Sequence, residues 1–226
     1  MNITDLSLSQ QWILVFATLI LFISFLLLAQ SRLTSAVYLF SWQGVALSIV
    51  TALVGYTDGN DHLYLSALLT LALKGFFVPW LMDRMIKRLK LENHIDPLKN
   101  PVILLLTASA LVIFAYWVSI PIQKAHLANI SKLLALSIAI ILIGFFMMTV
   151  RKQAVLQVIA FMSIENGLFL SAISASDGMP LLIELGVAFD VLVAAVLFGI
   201  FFLHIYDSIE SLDVDQLNHL AEKEEH

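Results

Sequence analysis

Three ionisable side chains stand in the middle of long apolar runs, where a lipid-facing helix tolerates none: Lys74, Glu165 and Asp190. Lys74, in Ala67-Leu68-Leu69-Thr70-Leu71-Ala72-Leu73-Lys74-Gly75, is too far from either end of its run to snorkel comfortably to an interface. Glu165, in Ala160-Phe161-Met162-Ser163-Ile164-Glu165-Asn166-Gly167, follows the basic pair Arg151-Lys152, and Asp190 lies in the apolar run Leu181 to Ile205. At a ~1.5 Å rise per residue and a ~30 Å hydrocarbon core, both acids fall near the bilayer midplane on neighbouring antiparallel helices. An ionised side chain there costs at least ~2.5–3.5 kcal/mol, so a partner must hold it, and such groups mark proton or ion paths. In a low-dielectric layer, protonating one member of a charged group changes the proton affinity of the next, which is what a relay needs. The structural counterpart is an ion pair of Lys74 with Glu165 or Asp190 that only locks helix register, or acids satisfied by Ser, Asn or a partner helix.

Two further groups extend the candidate path. Glu184, a turn past Pro180, precedes Asp190 by six residues and points about 120° away from it. It is either an outer-side access group or an interfacial residue. His204, near the inner end of the last run, is either an inner-side proton group or a marker of the interface. No nucleophile–base constellation, Walker loop or Rossmann fingerprint occurs, so the chain alone is not read as an enzyme.

The elements that must position these groups are membrane helices. Over 226 residues the chain is 60% hydrophobic and 13% charged, with a mean hydropathy of +0.93, which excludes an ordinary soluble domain. The net charge of −5 comes mostly from the tail after Asp207, and no basic-aromatic interleaving points to nucleic acid. With no cysteine, iron–sulfur clusters, thiolate metal sites and disulfides within the chain are excluded. The six histidines are scattered, none at i, i+4 spacing, which argues against a haem or zinc site made by this chain alone.

Hydropathy predicts an all-α, multi-pass protein of seven spans: 10–30, 33–55, 63–86, 101–121, 131–150, 153–174 and 180–205. The short connections after the first and fifth spans require antiparallel hairpins. With the N-terminus outside, Arg32, Arg84, Lys87, Arg88, Lys90, Lys99, Arg151 and Lys152 fall inside and only Lys124 and Lys132 outside, so the basic residues predict N-out, C-in. The segments Thr57-Asp58-Gly59-Asn60-Asp61 and Ser174-Ala175-Ser176-Asp177-Gly178 read as outer turns. Pro101 and Pro180 suit first turns of helices. Trp12, Trp80 and Trp117 read as belt residues, whereas Trp42, beside Gln43, lies deep in its span.

An internal repeat of three-helix units emerges when spans two and six are laid together with an offset of 123 residues. Gly44-Val45-Ala46-Leu47-Ser48 then matches Gly167-Leu168-Phe169-Leu170-Ser171, and Trp42-Gln43 falls on Glu165-Asn166. An offset of 116 residues lays span three on span seven, with Lys74 on Asp190 and Ala72 on Ala188. The expected organisation is a first unit with its basic cytoplasmic loop (1–100), a linker helix (101–125), a second unit (126–206) and an acidic tail (207–226).

The segment Arg151 to Tyr206, with its basic turn, Glu165, and Asp190 in Ala188-Phe189-Asp190-Val191-Leu192-Val193-Ala194-Ala195, resembles the K-type subunit of NADH–quinone oxidoreductase (complex I). It also resembles the C-type subunit of multisubunit sodium/proton antiporters. Over nearly its whole length the chain resembles hydrogenase-4 component E, a membrane subunit of formate hydrogenlyase-type group 4 nickel–iron hydrogenases. That likeness rests on Leu69 to Lys74 through Val78-Pro79, on Ser163-Ile164-Glu165-Asn166, and on Gly178-Met179-Pro180-Leu181-Leu182-Ile183-Glu184 through Phe189-Asp190. It departs from the short K-type pattern in Asp for Glu at 190, in Glu184, and in four added N-terminal spans.

The resemblance implies a non-catalytic membrane-arm subunit of an oxidoreductase complex in a bacterial or archaeal cytoplasmic (inner) membrane. In it Lys74, Glu165 and Asp190, with Glu184 and His204, contribute to a proton-translocation path, and 126–206 is the K-type unit. Antiporter-like subunits would flank the chain; iron–sulfur clusters and a nickel–iron centre would sit in partner subunits, with no cofactor in this one. Two other readings compete: a subunit of a cation/proton antiporter or other ion-transport complex without a redox arm, moving protons or Na+, and a structural spacer.

Overall fold

The computed structural model describes residues 7–88, 100–124, 130–175, 186, 188–196 and 199. The expected seventh span lies outside the described residues except at 186, 188–196 and 199, and so do Glu184, His204 and the tail 207–226. The described residues are helical throughout apart from short connections, with no strand among them. Among the described residues six helices are long and apolar enough to cross a membrane, and the protein is a multi-pass membrane protein of all-α build.

Helix α1, Leu8–Ala29, starts at a capping box: the Ser7 hydroxyl accepts from the Gln10 amide, and the Gln10 side chain accepts from the Ser7 amide. Helix α2, Leu33–Asp58, is longer than hydropathy predicts and absorbs Thr57 and Asp58, so the expected five-residue outer turn shrinks. Gly59 closes α2 in the left-handed region (φ 65°), and the Asn60 side chain caps the next helix by accepting from the His62 amide at 3.2 Å.

Helix α3 is continuous but changes pitch: Asp61–Thr70 is α-helical, Leu71–Phe77 is a π-helix, and Val78–Arg88 is α-helical again. Helix α4, Pro101–Lys124, places Pro101 at its first position as the sequence predicts. Helices α5, Ile130–Val150, and α6, Ala154–Ala175, form the hairpin expected from the short basic turn. Residues 188–196 are helical and are denoted α7.

Helices α1, α2, α5 and α6 form the centre of the bundle, with α1 against α5 and α2 against α6; α3 packs on α2, and α4 on α5 and α1. Ile20, Leu27, Leu28, Phe40, Leu47, Ile140, Ile143, Met147, Leu156 and Ile159 are fully buried there. Because lipid tails are as apolar as these side chains, close packing rather than water exclusion must hold the helices together. Glycines permit it. A Cβ at Gly44 would stand 2.8 Å from Lys74 Cβ, and one at Gly167 would stand 3.0 Å from the Ser137 carbonyl oxygen. Trp42 faces outward at 65% exposure while its neighbour Gln43 is completely buried, so the two residues divide that level of α2 between lipid and core.

Candidate functional site

Lys74 sits inside the π-helical stretch of α3 and is 1% exposed. A π turn bonds i to i+5 and sets side chains back from the positions a continuing α-helix would give them; such turns concentrate at functional sites. Two contacts from α2 brace this one. Gly44 lets the Lys74 backbone approach, and the Ser41 hydroxyl donates to the Gly75 carbonyl at 2.5 Å. One turn toward the α2–α3 connection, the Ser48 hydroxyl donates to the Ala67 carbonyl at 2.9 Å.

From this position Lys74 Nζ reaches α6 and α7 together. It lies 3.0 Å from Asp190 Oδ1, 3.4 Å from Glu165 Oε1, and donates to Asn166 Oδ1 at 2.9 Å. Asp190 is 1% and Glu165 7% exposed. All three midplane residues singled out in the sequence therefore meet at one point between three helices. Neither Glu165 oxygen nor Asp190 Oδ1 takes a well-directed hydrogen bond, so their link to Lys74 is ionic. Glu184 and His204 fall outside the described residues.

A second, uncharged arm leaves Lys74 through side chains the sequence reading did not assign to the site. An ammonium only donates, which obliges Asn166 to present Oδ1 to it and Nδ2 to the other side. Asn166 Nδ2 donates to Gln43 Oε1 at 3.1 Å, and Gln43 Nε2 in turn donates to Ser24 Oγ at 2.9 Å and Ser163 Oγ at 3.1 Å. Ser24 spends its own proton on the Ile20 carbonyl at 3.0 Å, which leaves its oxygen free to accept. Both amide groups of this arm donate away from Lys74. The amide dipoles thus present their negative ends toward the ammonium, and primary amides do not carry protons at neutral pH. The arm orients Lys74; the carboxyl groups are the members that can exchange a proton. The sequence signal for it was the presence of Gln43 and Asn166 at depth in apolar spans, matched to each other by the 123-residue offset.

The two pairs that the sequence offsets match are both in direct contact, Gln43 with Asn166 and Lys74 with Asp190. At the turn between α5 and α6, the buried Arg151 guanidinium donates to the Leu28 and Gln30 carbonyls at 2.6 and 2.8 Å. It supplies the positive charge that the last turn of α1 lacks. Burial pushes the Arg151 guanidinium below its ordinary value. Among the described residues, no three His, Cys, Asp or Glu side chains gather into a metal-ligand set.

The chain is similar to the uncharacterized protein Rv0085 of Mycobacterium tuberculosis, with 29% identity over 200 residues covering 88% of this chain and 91% of the relative. No family model matches it, and no solved structure does.

Proposed function

We propose that this protein is a non-catalytic membrane subunit whose Lys74, Glu165 and Asp190 form part of a proton-translocation path coupled to redox chemistry in partner subunits. The observation that carries the reading is a single buried ammonium within 3.0 and 3.4 Å of carboxylates from two other helices. One cation facing two carboxylates is electrically neutral only when the pair of acids shares one proton, and a low-dielectric layer enforces that neutrality. The triad then holds a proton that can be passed on whenever a neighbouring charge moves. The seven-span, N-out and C-in topology and the cytoplasmic-membrane location belong to the same proposal, as do the antiporter-like neighbours. The partner-held iron–sulfur and nickel–iron centres rest on the sequence resemblance to hydrogenase-4 component E. With no cysteine, this chain has no thiolate ligand to offer those centres.

Glu165→Gln in the assembled complex tests the reading. It keeps the shape and polarity of the side chain and removes its titration, so the expected outcome is loss of proton movement with assembly intact. Assembly lost along with proton movement points to a structural spacer, and unchanged proton movement rejects the path. The subunits that copurify with the chain separate a hydrogenase-type complex from an ion-transport complex with no redox arm.

A further inference from the structure

Beyond its ionic partners, Lys74 stands at the end of a stripe of polar residues on α3. His62, Ser66, Thr70 and Lys74 recur at four-residue steps from the first turn of the helix to the triad. On an α-helix, four residues turn through about 400°, so the stripe winds by about 40° per step. Burial follows that winding: His62 is exposed, Ser66 half-buried, and Thr70 and Lys74 both 1% exposed. The stripe passes from the exposed first turn of α3 to buried positions, and Lys74 at its end lies against Gly44 of α2, inside the π turn that starts at Leu71.

The Thr70 hydroxyl is the telling member. Thr18, Thr51, Thr107 and Thr149 each return their hydroxyl to the carbonyl four residues earlier, at 2.7–2.9 Å. Ser66 does the same with the His62 carbonyl at 3.3 Å. Thr70 Oγ1 does not; it is buried with no hydrogen-bond partner. A buried hydroxyl without a partner costs ~1–3 kcal/mol, and a water molecule bridging polar groups removes that cost.

We infer that the stripe His62, Ser66, Thr70 is the aqueous access route to Lys74 from the membrane face at the α2–α3 connection, with Thr70 holding the last water before the ammonium. The inference rests on Lys74 being part of a proton path and names the side from which that path is filled. Protons would move along waters bridged by the two hydroxyls over ~12 Å from His62 to Thr70, and from there to Lys74 once its ammonium has passed a proton to Glu165 or Asp190.

The chain contains no cysteine, so single cysteines at 62, 66, 68 and 70 can be read against a blank background. The full chain, in its native membrane and complex, is treated with a membrane-impermeant methanethiosulfonate from each side and then isolated for measurement of its mass shift. Such reagents need an ionised, hydrated thiol. His62→Cys, Ser66→Cys and Thr70→Cys are expected to label from one and the same side. Leu68→Cys, at a position 63% exposed on the apolar face, is expected to label at least tenfold more slowly. Thr70→Cys labelling no faster than Leu68→Cys, or only from the side opposite His62→Cys, overturns the route. A second pair fixes its role: Thr70→Ser is expected to retain proton movement and Thr70→Val to lower it severalfold, and equal rates overturn the assignment. Labelling does not depend on proton transport, so a failure of the Glu165→Gln test leaves the labelling result to be read separately.

Discussion

Lys74 donates to Asn166 and is ion-paired with Asp190 and Glu165, and among the described residues no other cation pairs with the two acids. Lys74→Met therefore does more than delete a contact: it leaves two buried carboxyl groups without their cation. Breaking a buried charge cluster by removing one partner costs ~3–5 kcal/mol, whereas replacing the whole cluster by neutral groups of similar volume is often neutral or better. The expected outcome is a large fall in the thermal midpoint of the purified protein for Lys74→Met, and substantial recovery when Asp190→Asn is added to the same chain. If the second substitution makes matters worse, Asp190 is satisfied by something other than Lys74. Asn166 would be the residue to examine next, since its amide links the charged and uncharged arms.

At the scale of elements, the site depends on how closely α2 lets α3 approach. A Cβ at Gly44 would meet backbone as well as side chain of Lys74, at 2.8–3.0 Å, whereas one at Gly75 would meet only the ends of Leu71 and Val45, at 3.2 and 3.4 Å. Gly44→Ala must push the π turn off α2 and is expected to cost ~1–3 kcal/mol, the usual range for overpacking. Gly75→Ala, relieved by side-chain rotation, is expected to be nearly neutral; melting the two variants side by side checks the contrast. The spans themselves were legible in the sequence because lipid demands long apolar helices, and six of the seven expected runs are matched to within three residues at either end. The meeting of Lys74 with Glu165 and Asp190 was legible too, since isolated charges at one depth must find each other. The π turn was not, because Leu71-Ala72-Leu73-Lys74-Gly75-Phe76-Phe77 has the composition of any apolar helix and its bonding follows from contacts with α2. The depth of Trp42 beside Gln43 was legible, but not which of the two enters the core: the buried polar group at that level is Gln43, one residue and about 100° away.

For the whole molecule, the contacts between matched residues restrict how the bundle is built. In a structure made of two like-oriented halves, equivalent positions touch only where they lie beside the axis relating the halves. Here α1 packs on α5 and α2 on α6, and Gln43 meets Asn166 just as Lys74 meets Asp190. The polar centre thus sits between α2 and α3 on one side and α6 and α7 on the other, with the cation on the first pair and the two acids on the second. That arrangement predicts an exchange. Lys74→Asp alone places three acids together and Asp190→Lys alone places two lysines on one glutamate, so each single variant is expected to accumulate poorly in the membrane. The double exchange restores one cation between two carboxylates and is expected to recover accumulation and melting temperature well beyond additivity, with a coupling of at least ~2 kcal/mol. A double variant no better than the worse single would mean that the two positions are not interchangeable, and that the second unit holds its aspartate for a reason the pairing with Lys74 does not supply.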